Sequence, residues 1–273
     1  MNVPALFKTA AILTYYQGKG LWARRKERVP ASLQAAFRKV KTEGVAVVKG
    51  FLSPETCADL REEIDSLIQA YKSDIVIDPH EADHRIYGAE WISEKVRFFH
   101  DHLELAQFVR AFHQAPATNA FTMANRIKPK PQNLGSGGGW HRDTVHFGEI
   151  KSIVYLNDVG PANGPFQYVK HSFGNDSVFG SIWKENFPFR KDRFSAQEVE
   201  RFLQQFNKEI TDLTGSAGDL ILTNTKGLHR GKPIQEGVRY ALTNYYFPDH
   251  IMPLEKVDAY FGKNYVVPRP ASA

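Results

Sequence analysis

The spacing of apolar and polar positions divides the chain into a helix-rich first part and a strand-rich remainder. Residues 3–17, VPALFKTAAILTYYQ, read as a short apolar helix, and the basic stretch ARRKER follows. Residues 31–41 read as a second helix. GVAVVKGFL (44–52) is rich in β-branched residues and reads as a strand. In SPETCADLREEIDSLIQAY (53–71), Ser53 supplies an N-cap, Pro54 fits the first helical position, and acids crowd the early turns. Leu60, Ile64, Leu67 and Ile68 then repeat at helical spacing, so an amphipathic helix is predicted. Residues 72–100 are expected to be irregular. A helix is expected over 101–113, with Leu103, Leu105, Phe108, Val109 and Phe112 as its apolar positions.

From residue 117 the character changes to β. Strands are expected at 117–129, at WHRD (140–143), at 150–159 and at 164–170. A helical insertion at 175–208 follows, clearest at SAQEVERFLQQFN (195–207). Strands resume at 209–214, 218–224 and 238–247. Glycine, proline and Asn-Gly signals separate them, Asn163-Gly164 among them. About seven strands with short turns point to a β-sandwich or an open barrel. The expected organisation is an N-terminal segment, 1–30, and a single domain, 31–273.

Composition narrows the functional classes. A chain of 273 residues can bury a substantial core as one domain. Cys57 is the only cysteine, which excludes an internal disulfide framework and a cysteine-built zinc site. It is compatible with a reducing cytosol, so a cytoplasmic location is expected. The net charge of +5 is uneven: residues 1–28 hold six basic residues and one acid, and the rest of the chain is balanced. No stretch is long enough to span a bilayer. Most of the positive charge follows the apolar run, the reverse of a secretory signal. The segment therefore reads either as a docked terminal helix with a solvated basic tail, or as an interfacial helix in peripheral contact with anionic lipid. A nucleic-acid partner is not expected.

Two stretches could hold a metal. His80-Glu81-Ala82-Asp83-His84 matches HExxH, in which two histidines one helical turn apart bind zinc. That pattern needs an established helix; here Pro79 precedes it, Gly88 follows, and periodic apolar residues are missing. A loop or surface turn is the favoured reading, with a zinc hydrolase on His80 and His84 a minor alternative. In GSGGGWHRD (135–143), His141 and Asp143 are two residues apart, so on an extended strand they share a face. His-x-Asp alone is weak: with ten histidines, one such triplet by chance is roughly an even bet. Downstream, His229 lies between two strands, and Arg239 follows ten residues later in VRYALTNYYF. Two imidazoles and one carboxylate on one face of a metal suit a non-haem Fe(II) oxygenase. An arginine in an otherwise apolar strand needs an anionic partner, and a carboxylate fits its fork.

HRD at 141–143, GPFQYVKHSFG at 164–174, GDLILTNTKGLHRG at 218–231 and Arg239 together resemble the phytanoyl-CoA dioxygenase (PhyH-like) family. The resemblance covers roughly residues 120–248. It implies a mainly β fold, a double-stranded β-helix (jelly-roll, cupin-like) core with flanking helices. It also implies an Fe(II)- and 2-oxoglutarate-dependent dioxygenase that uses O2 to hydroxylate an unactivated C–H of a small-molecule, lipid or lipid-linked saccharide substrate, releasing succinate and CO2. His141, Asp143 and His229 would bind iron, and Arg239 the distal carboxylate of 2-oxoglutarate. Arg126 and Lys128 are similar to an RIN-type strand of the ectoine-hydroxylase branch and would lie around the co-substrate, with Tyr155 as a further candidate. Related halogenases carry Ala or Gly where Asp143 stands, so the aspartate argues for hydroxylation. The chain departs from the family at Lys170-His171-Ser172, where GSH is usual, and in the length of 175–208, which reads as either a lid or a packing helix pair. The remaining alternative is a non-catalytic jelly-roll binding protein.

Overall fold

The computed structural model of the chain describes residues 3–24, 26–143, 145–184, 188 and 191–271. Arg25, within the basic stretch, and residues 185–187, 189 and 190, within the insertion, lie outside them. Ten strands are described in two antiparallel sheets. The larger holds β1 (Val45–Val48), β8 (Leu220–Asn224), β5 (Ile150–Tyr155), β10 (Arg239–Pro248), β4 (Ala117–Ile127), β3 (Asp83–Tyr87) and β2 (Val76–Ile77), in that order. The smaller orders β7 (Ile210–Leu213), β6 (Phe166–Val169) and β9 (His229–Gly231). This is the double-stranded β-helix with flanking helices.

Side-chain alternation explains the layers. On β10, Tyr240, Leu242 and Tyr246 join a core beneath the helices, whereas Arg239, Ala241, Thr243 and Tyr245 face the interior between the sheets. The helix-side core takes Ala36 and Val40 from α2 (Gln34–Glu43), and Leu60, Ile64, Leu67 and Ile68 from α3 (Pro54–Ala70). It also takes Val96 and Phe99 from α4 (Glu94–His100), and Leu105, Phe108 and Val109 from α5 (Leu103–His113). Between the sheets, Ile153, Tyr155, Ile221 and Ala241 meet Phe166, Tyr168 and Leu213. The Ser53 hydroxyl accepts from Thr56 N at the start of α3, with Pro54 at its first position.

Several local expectations change. Residues 72–100 contain β2, β3 and α4. β3 lacks an apolar inner face because Asp83, Arg85 and Tyr87 point toward a polar interior, while Ile86 enters the helix-side core. The helix expected over 101–113 is α5, Leu103–His113, and Asp101–His102 separate it from α4. WHRD forms no named strand; only His141 pairs, bridging to His229 and to Arg193. A C-terminal helix, α8 (Leu254–Phe261), was not anticipated; with β4 and β10 it closes a third cluster around Phe121 and Phe247. The N-terminal helix α1 runs farther than expected, Val3–Trp22, and packs against α6 (Asn175–Lys184). In the insertion, α7 (Ala196–Phe206) starts with a Ser195–Glu198 capping box and buries Val199 and Phe202 against Trp140 and Leu228. That part of 175–208 is packing, and among its described residues only Arg193 reaches the rim of the central cavity.

Candidate active site

The interior face of the larger sheet and the turn 135–143 enclose a cavity of about 200 Å³. His141 and His229 stand directly opposite one another, each backbone N–H donating to the other's carbonyl at 2.9 Å. Their ring centroids are 4.2 Å apart. Asp143, two residues on, faces the same space, and its backbone N–H donates to Thr225 O. Its carboxylate lies 3.8 Å from His141 Nε2 and 3.5 Å from His229 Nε2. The ligand atoms of the three residues all lie within 4.8 Å of one another, the only such group among the described residues. Each imidazole places Nδ1 at 2.9 Å from the carbonyl oxygen two residues before it, Gly139 for His141 and Gly227 for His229. A carbonyl only accepts, so Nδ1 carries the proton and the Nε2 lone pair is directed at the shared space. This is the donor set a divalent metal ion needs, and the residues fit it.

The turn before His141 is held by left-handed glycines. Gly135, Gly137, Gly138 and Gly139 all have positive φ, and a Cβ on Gly137 would collide with the His141 ring. Arg142, between the two inward residues, points the opposite way. It donates to the carbonyls of Ser172 and Lys226 and lies over the Phe202 ring, locking the turn to the body.

Charge in the cavity is closely balanced. Lys151, inward on β5, donates to Asp143 Oδ2 at 2.6 Å and lies 3.3 Å from Glu149 Oε1. Burial acts to raise the Asp143 pKa, but the Lys151 ammonium and then His229 hold it well below the usual carboxylate range. Burial and the neighbouring Asp143 charge push Glu149 up. Burial opposes the charge on Lys151, yet the two carboxylates keep its pKa well above the ordinary value. Burial, then His229, holds His141 well below its ordinary value, in keeping with a neutral ligand imidazole.

Arg239 lines the cavity, 5% exposed, and one guanidinium nitrogen donates to Gly164 O. Its Nε has no hydrogen-bond partner, which leaves donor capacity for an anion. Tyr155 lines the same wall, but its hydroxyl donates to Leu213 O and accepts from Phe166 N, so it braces the wall. Arg126 and Lys128 are not at the cavity. Inward positions on β4 are Met123 and Asn125, so the alternation sends Arg126 to the helix side. There it pairs with Asp65 of α3 at 2.6 Å, and Tyr240 donates to the same carboxylate. Lys128 follows the strand end and is exposed. HEADH is not helical: the Asp78 carboxylate accepts from the N–H groups of Ala82 and Asp83 at 2.6 Å, and His84 lies on β3. The two histidines therefore lack the one-turn spacing a zinc pair requires.

Reading the sequence missed Lys151, Glu149, Arg85 and Asn125, all of which line the cavity. Lys151 had a usable signal, a lone cation in the apolar strand IKSIVY, the reasoning that singled out Arg239. Arg85 had none, because β3 itself was not recognised. Its Nε donates to the buried Asp83 at 2.6 Å, and Asn125 donates to the same carboxylate at 3.0 Å.

Comparison with solved structures gives the same fold at low identity. The epimerase SnoN, in complex with Fe3+, alpha ketoglutarate and nogalamycin RO, aligns with a TM-score of 0.61 and 16% identity, covering 80% of this chain and 84% of that one. The carbocyclase SnoK from nogalamycin biosynthesis gives 0.61 and 15%, covering 78% and 83%. HygX from Streptomyces hygroscopicus, with nickel, 2-oxoglutarate and hygromycin B bound, gives 0.56 and 20%, covering 79% and 87%. No curated protein sequence matches the chain. The model of the family Phytanoyl-CoA dioxygenase (PhyH) matches residues 40–237, a span that takes in His141, Asp143 and His229 and stops just short of Arg239. The chain therefore belongs to the phytanoyl-CoA dioxygenase family and is a 2-oxoglutarate-dependent non-haem iron enzyme.

Proposed function

We propose that His141, Asp143 and His229 hold Fe(II), that Arg239 holds the distal carboxylate of 2-oxoglutarate, and that the enzyme hydroxylates an unactivated C–H of a small molecule, with a lipid or lipid-linked saccharide within that class. The balance is one substrate C–H, 2-oxoglutarate and O2 converted to the alcohol, succinate and CO2. The observation that carries the reading is the pair of Nε2 lone pairs, both set by backbone carbonyls, converging with one carboxylate. When bound, iron and 2-oxoglutarate supply the oxidising chemistry with O2. The chain's own residues do the rest. Two imidazoles and one carboxylate would hold the metal, a donor set that would leave room for co-substrate and O2. The buried Arg239 fixes a dicarboxylate by its far end, and the apolar walls at Met123, Ile153 and Phe166 exclude water. That SnoN and HygX structures contain nogalamycin RO and hygromycin B supports a small-molecule substrate here.

The test is anaerobic loading with Fe(II) and 2-oxoglutarate, followed by succinate release on admission of O2. His141→Ala, Asp143→Ala and His229→Ala are each expected to bind iron poorly and to lose turnover. Full activity in any of them would refute the ligand assignment. Iron-independent small-molecule binding without succinate would favour a non-catalytic binding protein. Incorporation of isotopically labelled dioxygen into the product separates hydroxylation from other oxidations.

A further inference from the structure

One face of α1 is packed and the opposite face carries exposed apolar side chains. Ala5 and Thr9, each 2% exposed, lie against the body, next to α6. At 3.6 residues per turn, Val3, Phe7, Ala11, Tyr15 and Trp22 form a stripe on the other side. Phe7 is 72% exposed, Tyr15 58% and Trp22 92%. Such large aromatic surface on one helix face is not ordinary solvent-facing composition. Lys8 and Lys19 flank the stripe on one side, and Arg24, Lys26 and Arg28 follow it, all exposed. Glu27 is the sole acid in residues 3–28, and its carboxylate is 3.6 Å from Arg110 of the body, so it does little to offset that charge.

We propose that this face of α1 docks on an anionic lipid bilayer, with the aromatic stripe in the head-group layer and the basic flank against lipid phosphates. Aromatic side chains with an apolar body suit that layer, and the flanking cations suit its negative potential. The charge pattern selects this occupant. A second copy seated face to face would bring two sets of the same cations together, and a nucleic-acid duplex would meet the cations but leave the aromatic stripe exposed. A spanning role does not arise, because no described helix is long and apolar enough to cross a membrane. The inference stands independently of the catalytic reading, since none of these residues lines the central cavity.

Sedimentation of the full chain with vesicles of phosphatidylcholine, with or without phosphatidylglycerol, tests it. Recovery is expected with the anionic vesicles, at least tenfold stronger than with phosphatidylcholine alone, and weakened by added salt. Phe7→Ser with Trp22→Ser should lower recovery at least tenfold while leaving the melting temperature and iron-dependent succinate release unchanged. Lys19→Ser with Lys26→Ser should mainly erase the preference for anionic lipid. No recovery of the full chain with either vesicle, or equal recovery of the aromatic double variant, overturns the proposal. A dimer in light scattering that the same double variant converts to monomer, without vesicle binding, assigns the face to a second copy instead.

Discussion

Lys151 Nζ stands 2.6 Å from Asp143 Oδ2, and its ammonium lies 4.4 Å from the centroid of the Tyr245 ring. An ammonium that occupies one carboxylate oxygen leaves the other for a metal, so Lys151 is placed to hold Asp143 in a one-oxygen mode. Lys151→Met keeps much of the volume and removes the cation that holds the buried Asp143 carboxylate ionised. Metal affinity is expected to fall by about 10–100-fold, the usual cost of losing a partner that orients a ligand. Titration of Co(II) into the apo-protein, with its absorption bands as a second readout, measures this; an unchanged affinity and spectrum would exclude the role. Arg239→Lys keeps a cation but loses the planar fork. It should raise the KM for 2-oxoglutarate by about tenfold or more, the signature of lost binding common to ground and transition states. If KM is unaltered, Arg239 does not hold the co-substrate.

Elements turn these side chains into a site. The reciprocal backbone bonds between His141 and His229 fasten the 135–143 turn to β9, so two imidazoles far apart in sequence become neighbours. The turn can approach β9 this closely because Gly135 and Gly137 lack a Cβ: one at 135 would strike the Gly231 carbonyl, and one at 137 the His141 ring. The stretch 135–139 is a tight turn with left-handed residues. Gly137→Ala is expected to cost about 1–3 kcal/mol through its positive φ. It should also lower metal affinity by displacing the His141 ring. Thermal melting of the apo-protein and metal titration check the two effects separately, and a normal affinity would show that the ring does not depend on the turn. At the same scale, β3 shows how a strand escapes notice. Periodicity reveals strands whose inner face is apolar, and the inner face of β3 is Asp83, Arg85 and Tyr87. Arg126 was misplaced for a related reason: its identity suits an anion, but the alternation of β4, anchored by Met123 and Asn125, turns it to Asp65.

At the scale of the whole molecule, the packing of helices over the larger sheet buries titratable groups that do not line the central cavity. Burial lowers His100 to about 4 and His113 to about 3, and raises Glu90 to about 8. At neutral pH the 3.6 Å contact of His100 with Glu90 is therefore not an ion pair. The two histidines, depressed on folding, contribute stability that is present above their ordinary value and lost as pH falls from about 6.5 toward 4. Glu90 acts oppositely: its raised pKa makes stability fall as pH rises from about 4.5 to 8. Each group contributes a slope of at most about 1.4 kcal/mol per pH unit. Melting curves across pH should show that Glu90→Gln flattens the decline toward pH 8 and that His100→Gln flattens the decline toward pH 4. Parallel curves for parent and variants would show that these groups do not set the profile.

The sequence by itself determined the order and spacing of His141, Asp143 and His229, the capped helix α3 and most of the strands. These rest on local chemistry: the two-residue spacing of His141 and Asp143, the Ser53 cap, the runs of β-branched residues. Only the tertiary structure decided that His141 faces His229 across one hydrogen-bonded pair, that Lys151 and Glu149 share the site with Asp143, and that Arg126 does not. Those outcomes depend on strand register and on which face of each strand the closing sheets enclose. A one-residue change of register reverses every such assignment, and the partners that fix it are strands distant in sequence.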